Sequence, residues 1–415
     1  MESEYIDLAL DYWYVLIPTI MLMGVASYCL CSGGSNVSPK PKKKKTTTQH
    51  DQQQQQQKTS NNSIKKNRHD EPKDHPTSPT LSNVHQQSPL FEKSVKAMTT
   101  AGSPITAIAI SPDGQQLAYS SDQRHIKIVN VESMFTTNPK SYNVQLPFDY
   151  ARLIAWRNKQ LYATLEDKLI CYRLLDQKNT DGKTYEKLWD VPLQHKTPIV
   201  TLCSVSNGNH MISCGDDTTV KIWGLNNGES LMTINTGQIK QYMAAMSGNG
   251  RFFGVASFNS EVKIWEVINK KDGTFEKCQR VMSLTGYRTS IFGLAFNQEG
   301  NRVVSCSKDG TIKMWNLDVR YQVSEDPKCL YTLSCDLSCP PTIISYAPDG
   351  GVFVVGNQDF LQMRDANNGA ILATISRDHS IALNNNLLAW TPDSHRLIIG
   401  EDTHFIIYRN PKHNK

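Results

Sequence analysis

From about residue 91 onward the chain is a succession of short runs in which apolar and polar positions alternate, each run bounded by turn-forming residues. A period of two is the signature of strands with one face buried, not of helices. One series of turns sits between two apolar runs: Pro112-Asp113-Gly114, Arg157-Asn158-Lys159, Ser206-Asn207-Gly208, Gly248-Asn249-Gly250, Gln298-Glu299-Gly300, Pro348-Asp349-Gly350 and Pro392-Asp393-Ser394. Most hold the Gly, Asn, Asp or Pro that hairpin turns require. Their last residues lie 45, 49, 42, 50, 50 and 44 apart, a repeat of the length expected for the blades of a propeller.

A second series has the position that ends its strand 13 to 15 residues after each of these turns. It reads DQRHIKIVNV from Asp122, EDKLICYRL from Glu166, DDTTVKIWGL from Asp216, FNSEVKIWEV from Phe258, KDGTIKMWNL from Lys308, NQDFLQMRDA from Asn357 and EDTHFIIYRN from Glu401. Each is a tight polar turn feeding a strand, and three of the strands end in Trp223, Trp265 and Trp315. These segments resemble the WD40 repeat, although Gly224, Glu266 and Asn316 stand where that repeat has Asp, and Val129, Tyr172, Arg364 and Tyr408 replace the tryptophan. The resemblance implies an all-β, seven-bladed propeller over residues 91–415, built of four-stranded sheets. The last repeat stops after its third strand, near Tyr408, and a spare strand-like run, Phe91 to Ala97, precedes the first. That run is expected to complete the last blade and close the ring, leaving no long open edge.

The residues before the repeats are of two other kinds. Tyr12 to Cys31 is a run of 20 residues without a charge, long enough to cross a bilayer as a helix, with Tyr12, Trp13 and Tyr14 at one end. Before it stand Glu2, Glu4, Asp7 and Asp11. After it come Lys40, Lys42, Lys43, Lys44 and Lys45. Because basic flanks stay cytosolic, the expectation is a single-pass anchor over residues 1–31 with its N-terminus luminal and everything after it cytosolic. Cys29 and Cys31, at the cytosolic end, are candidates for S-acylation. Residues 32–90 hold the Gln52–Gln57 tract and ten Lys or Arg against four Asp or Glu, with almost nothing apolar. Such a composition reads as a disordered tether. The basic excess therefore sits largely in this tether, which carries +6 against −4 before it and +3 in the repeats.

Candidate chemistry is sparse. No phosphate-binding loop, H-E-x-x-H or CxxC pair occurs. Gly248, Gly250 and Gly254 echo a dinucleotide loop but lie in a repeat turn with no helix to follow. Cys329, Cys335 and Cys339 are too few and too widely spaced for a zinc site, and the ten cysteines of the chain form no disulfide framework. His379, His395 and His404 read as structural. No cofactor, metal or small-molecule substrate is expected. In the third repeat His195, Ser213, Asp217 and Trp223 match the polar network that the WD40 resemblance implies, a buried chain from His to Asp and from His through Ser to Trp. A Ser–His–Asp set also admits a hydrolase reading, but inside a blade such groups serve to rigidify a sheet. The fifth repeat keeps Ser305, Asp309 and Trp315 with Tyr287 at the His position, so its network is expected to be incomplete.

What remains is surface. In the register of the repeat, the residue just before the tight-turn acid faces partners: Asp122, Leu165, Asp216, Phe258, Lys308, Asn357 and Glu401. Leu165 and Phe258 are apolar where a solvated residue is expected, which marks them as candidate anchors. The whole layout, with the phrase SPDGQQLAYSSDQRHIKIVNV from Ser111 to Val131, resembles the transducin beta-like protein 2 family, WD40 proteins of the endoplasmic reticulum membrane. The resemblance implies a non-enzymatic scaffold in the stress response of that organelle, docking a stress-sensing kinase and the translation machinery, with an RNA or ribosome contact. Two alternatives belong to other classes. One is a membrane-tethered regulator of a small GTPase in vesicle budding, and the other is RNA binding through Lys42–Lys45.

Overall fold

The computed structural model describes residues 90–97, 103–136, 139–204, 210–335, 341–377 and 384–413. The charge-free run, Cys29, Cys31, the lysines Lys42, Lys43, Lys44 and Lys45, the Ser206-Asn207-Gly208 turn, Cys339 and His379 lie outside the described residues. Among the described residues no helix is long and apolar enough to cross a membrane.

The strands form seven antiparallel sheets of four strands each, here blades 1 to 7 with strands a to d. The a strands, Ile105–Ile110, Leu153–Arg157, Ile199–Ser204, Gln241–Met246, Ile291–Phe296, Ile343–Tyr346 and Leu388–Trp390, line a central channel of about 420 Å³. Ile108, Ile154, Leu294 and Ile344 from different blades line it together with polar groups such as Thr201, Ser204, Ser345 and Asn386. Asn385 reaches across it from the start of blade 7: its Nδ2 donates to Met243 Sδ on blade 4 (3.1 Å), while its Oδ1 accepts from the Ile344 amide (2.9 Å).

Each interface between blades buries a set of aliphatic and aromatic side chains drawn from two neighbouring sheets. Between blades 4 and 5, for example, Val262, Ile264, Leu284, Ile291, Leu294 and Val303 are fully buried. The b strands are buried on both faces, which is why their sequences read as continuous apolar runs such as Phe252–Ser257 and Val352–Gly356. At the a–b turns, Gly250 and Gly300 take φ of +73°, and Asn158 and Ser394 also adopt left-handed backbone, at +49° and +61°. That is the conformation the turn residues in the sequence foretold.

The ring closes as the spare run predicted. The strand Phe91–Lys96 pairs antiparallel with His404–Arg409, so blade 7 takes strands a to c from the end of the chain and strand d from before blade 1. Phe91 meets the Tyr408 ring edge-on at 6.2 Å, and Glu92 holds Arg396 through two contacts of 2.9 and 3.2 Å.

Candidate functional site: the loop face of the propeller

On blade 3 the four network residues come together. His195 precedes strand a, Ser213 lies in strand b (His210–Gly215), Asp217 is in the b–c turn and Trp223 is in strand c (Thr219–Gly224). Trp223 Nε1 donates to Ser213 Oγ (2.9 Å), and Ser213 lies 2.7 Å from His195 Nε2. His195 Nδ1 faces Asp217 at 3.2 and 3.3 Å. The Thr219 hydroxyl donates to Asp217 (2.7 Å), and the Thr219 and Lys196 amides donate to it at 3.1 and 2.8 Å. With Nδ1 protonated toward Asp217, Nε2 accepts from Ser213, whose oxygen accepts from Trp223, and every group is satisfied.

Burial pushes the His195 imidazole below its ordinary value in spite of the Asp217 carboxylate beside it. Burial works against the Asp217 charge, but the Thr219 hydroxyl, the Lys196 amide and His195 together hold its carboxyl below the usual range. Ser213 is completely buried. No reacting carbonyl can approach its oxygen, so the set is a sheet-locking device in form.

Blade 5 differs from expectation in an instructive way. Tyr287 does not leave a gap: its hydroxyl accepts from Trp315 Nε1 (2.8 Å) and is itself hydrogen-bonded to Ser305 Oγ. The phenol inserts between two groups that are in direct contact on blade 3. Asp309 is left out of this chain and instead accepts from the Thr311 hydroxyl (2.6 Å), the Thr311 amide (3.0 Å) and the Arg288 amide (3.3 Å). A polar chain is present, wired without histidine.

The seven candidate contact residues all fall at the b–c turns, but they divide in exposure. Asp122 and Lys308 are exposed, Asp216 is half-buried and Phe258 is 54% exposed. Three others are corrections. Leu165 is buried in the cluster between blades 1 and 2, because its turn is tight enough for its amide to bond Lys168 (2.9 Å) and turn the side chain inward. Asn357 is buried because its Oδ1 accepts from the Asp359 amide (2.8 Å), capping its own turn. Glu401 is buried against Arg377, whose Nε donates to Glu401 Oε1 at 2.6 Å and whose Nη1 donates to the Asn357 carbonyl at 3.2 Å. These three side chains hold the propeller together and present nothing to a partner.

One contact-competent residue was absent from the sequence reading. Ile239, in the loop between blades 3 and 4, is 70% exposed, and its amide donates to Asn259 Oδ1 (2.9 Å). The Phe258 amide in turn donates to the Lys240 carbonyl (2.8 Å), so the two loops that carry these apolar residues are stitched together. The only signal in the sequence was an isoleucine in an otherwise polar loop, TGQIK. Among the described residues no group of His, Cys, Asp and Glu is placed to hold a metal ion.

Comparison with known proteins agrees with this architecture. Residues 92–130, 187–224 and 277–316 match the WD40 model, WD domain, G-beta repeat. Each matched stretch begins in the d strand of one blade and ends in the c strand of the next, which is why ring closure must borrow a strand from the far end. The chain is 28% identical over 296 residues to human transducin beta-like protein 2, covering 70% of this chain and 66% of that protein. It is 30% identical over 264 residues to the mouse protein of the same name, covering 62% and 60%. A more distant likeness, 25% over 250 residues, covering 53% and 48%, is to nuclear distribution protein PAC1-2 of Uncinocarpus reesii. The matches thus span just under two thirds of the length of the transducin beta-like relatives.

Proposed function

We propose that this chain, which matches the WD40 repeat in three segments and is similar to transducin beta-like protein 2, is a non-catalytic scaffold that binds protein partners through the loop face of its propeller. The observation that carries the reading is how the polar constellations are used. The Ser–His–Asp set is sealed inside blade 3, the Tyr287 chain inside blade 5, and the Arg377–Glu401 pair between blades 6 and 7. On the loop face the exposed large apolar side chains are Phe258 and Ile239, while Val323, Leu330, Ile371 and Leu372 are exposed on a 3-10 turn and the outer strands of blades 5 and 6.

The finer reading places this scaffold at the endoplasmic reticulum, held by a single span over Tyr12–Cys31 with the propeller cytosolic. It acts there in the stress response and translational control, docking a stress-sensing kinase and the translation machinery. Its support is the charge-free run, the acidic-before and basic-after flanks, and the family resemblance. Proximity labelling from a ligase fused to the C-terminus, in intact cells with and without organelle stress, tests both levels together. Biotinylated cytosolic proteins of the reticulum surface, changing with stress, are expected. Labelling confined to luminal proteins would overturn the topology, and an absence of reproducible neighbours would overturn the scaffold.

A further inference from the structure

We infer that the loop face over blades 4 and 5 is a composite site for an acidic protein segment bearing a large apolar side chain. The inference rests on the docking role proposed above and names the chemistry of the partner. Its apolar half is the pair Ile239 and Phe258, 70% and 54% exposed, on two loops tied by the Phe258–Lys240 and Ile239–Asn259 backbone bonds. Loops cross-linked in this way present a surface in a fixed geometry, which lowers the ordering cost of binding. Next to the pair, toward the channel, Tyr242 and Phe292 of neighbouring a strands stack edge to face at 4.9 Å, both half-buried. Aromatic side chains in that state, next to exposed aliphatic ones, are the composition of interface anchors.

The charged half is cationic. Lys240 is exposed on the Ile239 loop, Arg288 on the loop between blades 4 and 5 and Lys308 at the b–c turn of blade 5; none forms an ion pair among the described residues, and Lys240 Nζ lies 5.8 Å from the Tyr242 ring centroid. The nearby acids of blades 4 and 5 are already engaged, and the half-buried Asp216 of blade 3, close to Tyr242, is a single carboxylate against three cations. Glu261 faces Lys263 at 3.6 Å, and Asp309 accepts from Thr311 and from the Arg288 amide. What the surface offers a partner is therefore positive charge around an apolar centre, and the complement is a carboxylate close to a large apolar side chain. Residues 32–90 of this chain are not that complement, since they carry ten basic residues against four acidic and almost nothing apolar.

The test uses the full-length protein in detergent, panned against a display library of random dodecapeptides. The enriched peptide is then titrated by fluorescence anisotropy. Selected peptides are expected to share a large apolar residue with Asp or Glu within a few positions. The double variant Ile239→Ser/Phe258→Ser should weaken binding at least tenfold, and Lys240→Glu/Lys308→Glu should exchange the preference to peptides with Lys in place of the acid. A blade 2 control, Glu166→Gln/Asp167→Asn, should bind within about twofold of wild type. Peptides that lack acidic residues, or that bind the Ile239/Phe258 variant as well as wild type, would overturn the inference. If the control alone lost binding, docking through the loop face would stand and the assignment to blades 4 and 5 would fall. If no peptide were enriched, the inference would fall, and proximity labelling would decide the docking role separately.

Discussion

The His195 network sets a pH dependence that a sheet without it would lack. Burial depresses the folded-state value of the imidazole below its ordinary 6.5. The unfolded chain therefore takes up this proton as pH falls through about 6.5 while the folded protein does not. The Asp217 carboxyl is also depressed, so its contribution is present above its ordinary value of 3.8 and is lost only in stronger acid. Stability should accordingly fall between pH 7.5 and pH 5.5, and His195→Gln should reduce that fall without abolishing it, since burial also depresses His210 and His125, while costing about 1–3 kcal/mol at pH 7.5. Urea unfolding at the two pH values reads both effects. The buried Arg377–Glu401 pair makes a second prediction at this scale. Arg377→Met alone strands a carboxylate and should cost about 3–5 kcal/mol, whereas Arg377→Met with Glu401→Leu should recover more than half of that in the same assay.

These two sites also mark what could be read in advance. His195, Ser213, Asp217 and Trp223 were legible through the resemblance to the WD40 repeat, which implies the network and assigns each residue its own strand or turn. Leu165, Asn357 and Glu401 occupy equivalent turn positions, yet their side chains turn inward, because exposure at a turn is decided by local hydrogen bonding and by the neighbouring blade. Arg377 is more than twenty residues from Glu401 in sequence and belongs to another blade, so nothing in the repeat pattern pairs them. Tyr287 was visible as a departure from histidine. That its hydroxyl would slot between Trp315 and Ser305 depended on the reach of a phenol, which spacing does not encode.

Among the elements, the strand Phe91–Lys96 carries the most weight for its length. It covers the edge of His404–Arg409 and brings Glu92 to Arg396, joining segments more than three hundred residues apart. A form lacking residues 1–89 retains this strand, whereas one lacking residues 1–97 leaves the c strand of blade 7 as an open edge, a template for association with other chains. The longer deletion should lower the thermal midpoint by several degrees and elute as oligomers in size-exclusion chromatography, and the shorter one should remain monodisperse. Equal behaviour of the two would contradict the closure. The offset between repeat and blade was recoverable from sequence because the last repeat visibly lacks a strand. The short a strand of blade 7, Leu388–Trp390, and Asn385 spanning the channel were not, because that repeat breaks its own pattern there.

For the whole molecule, the physical account is a ring whose polar groups are spent on rigidity and whose loops on one face are left to meet partners. Turns on both faces are capped by their own side chains, as where Ser111 and Thr391 donate to Asp113 and Asp393 in a–b turns and Thr219 and Thr311 donate to Asp217 and Asp309 in b–c turns; the b–c side adds the stitched apolar pair. The measurement that bears most directly on this is site-specific photo-crosslinking of the full-length protein in cells, with a photoreactive amino acid placed at Phe258, at Lys308 or, on the opposite face, at Gln298. The account predicts discrete protein adducts from Phe258 and Lys308 and none from Gln298. Adducts from Gln298 with none from the other two positions would contradict it.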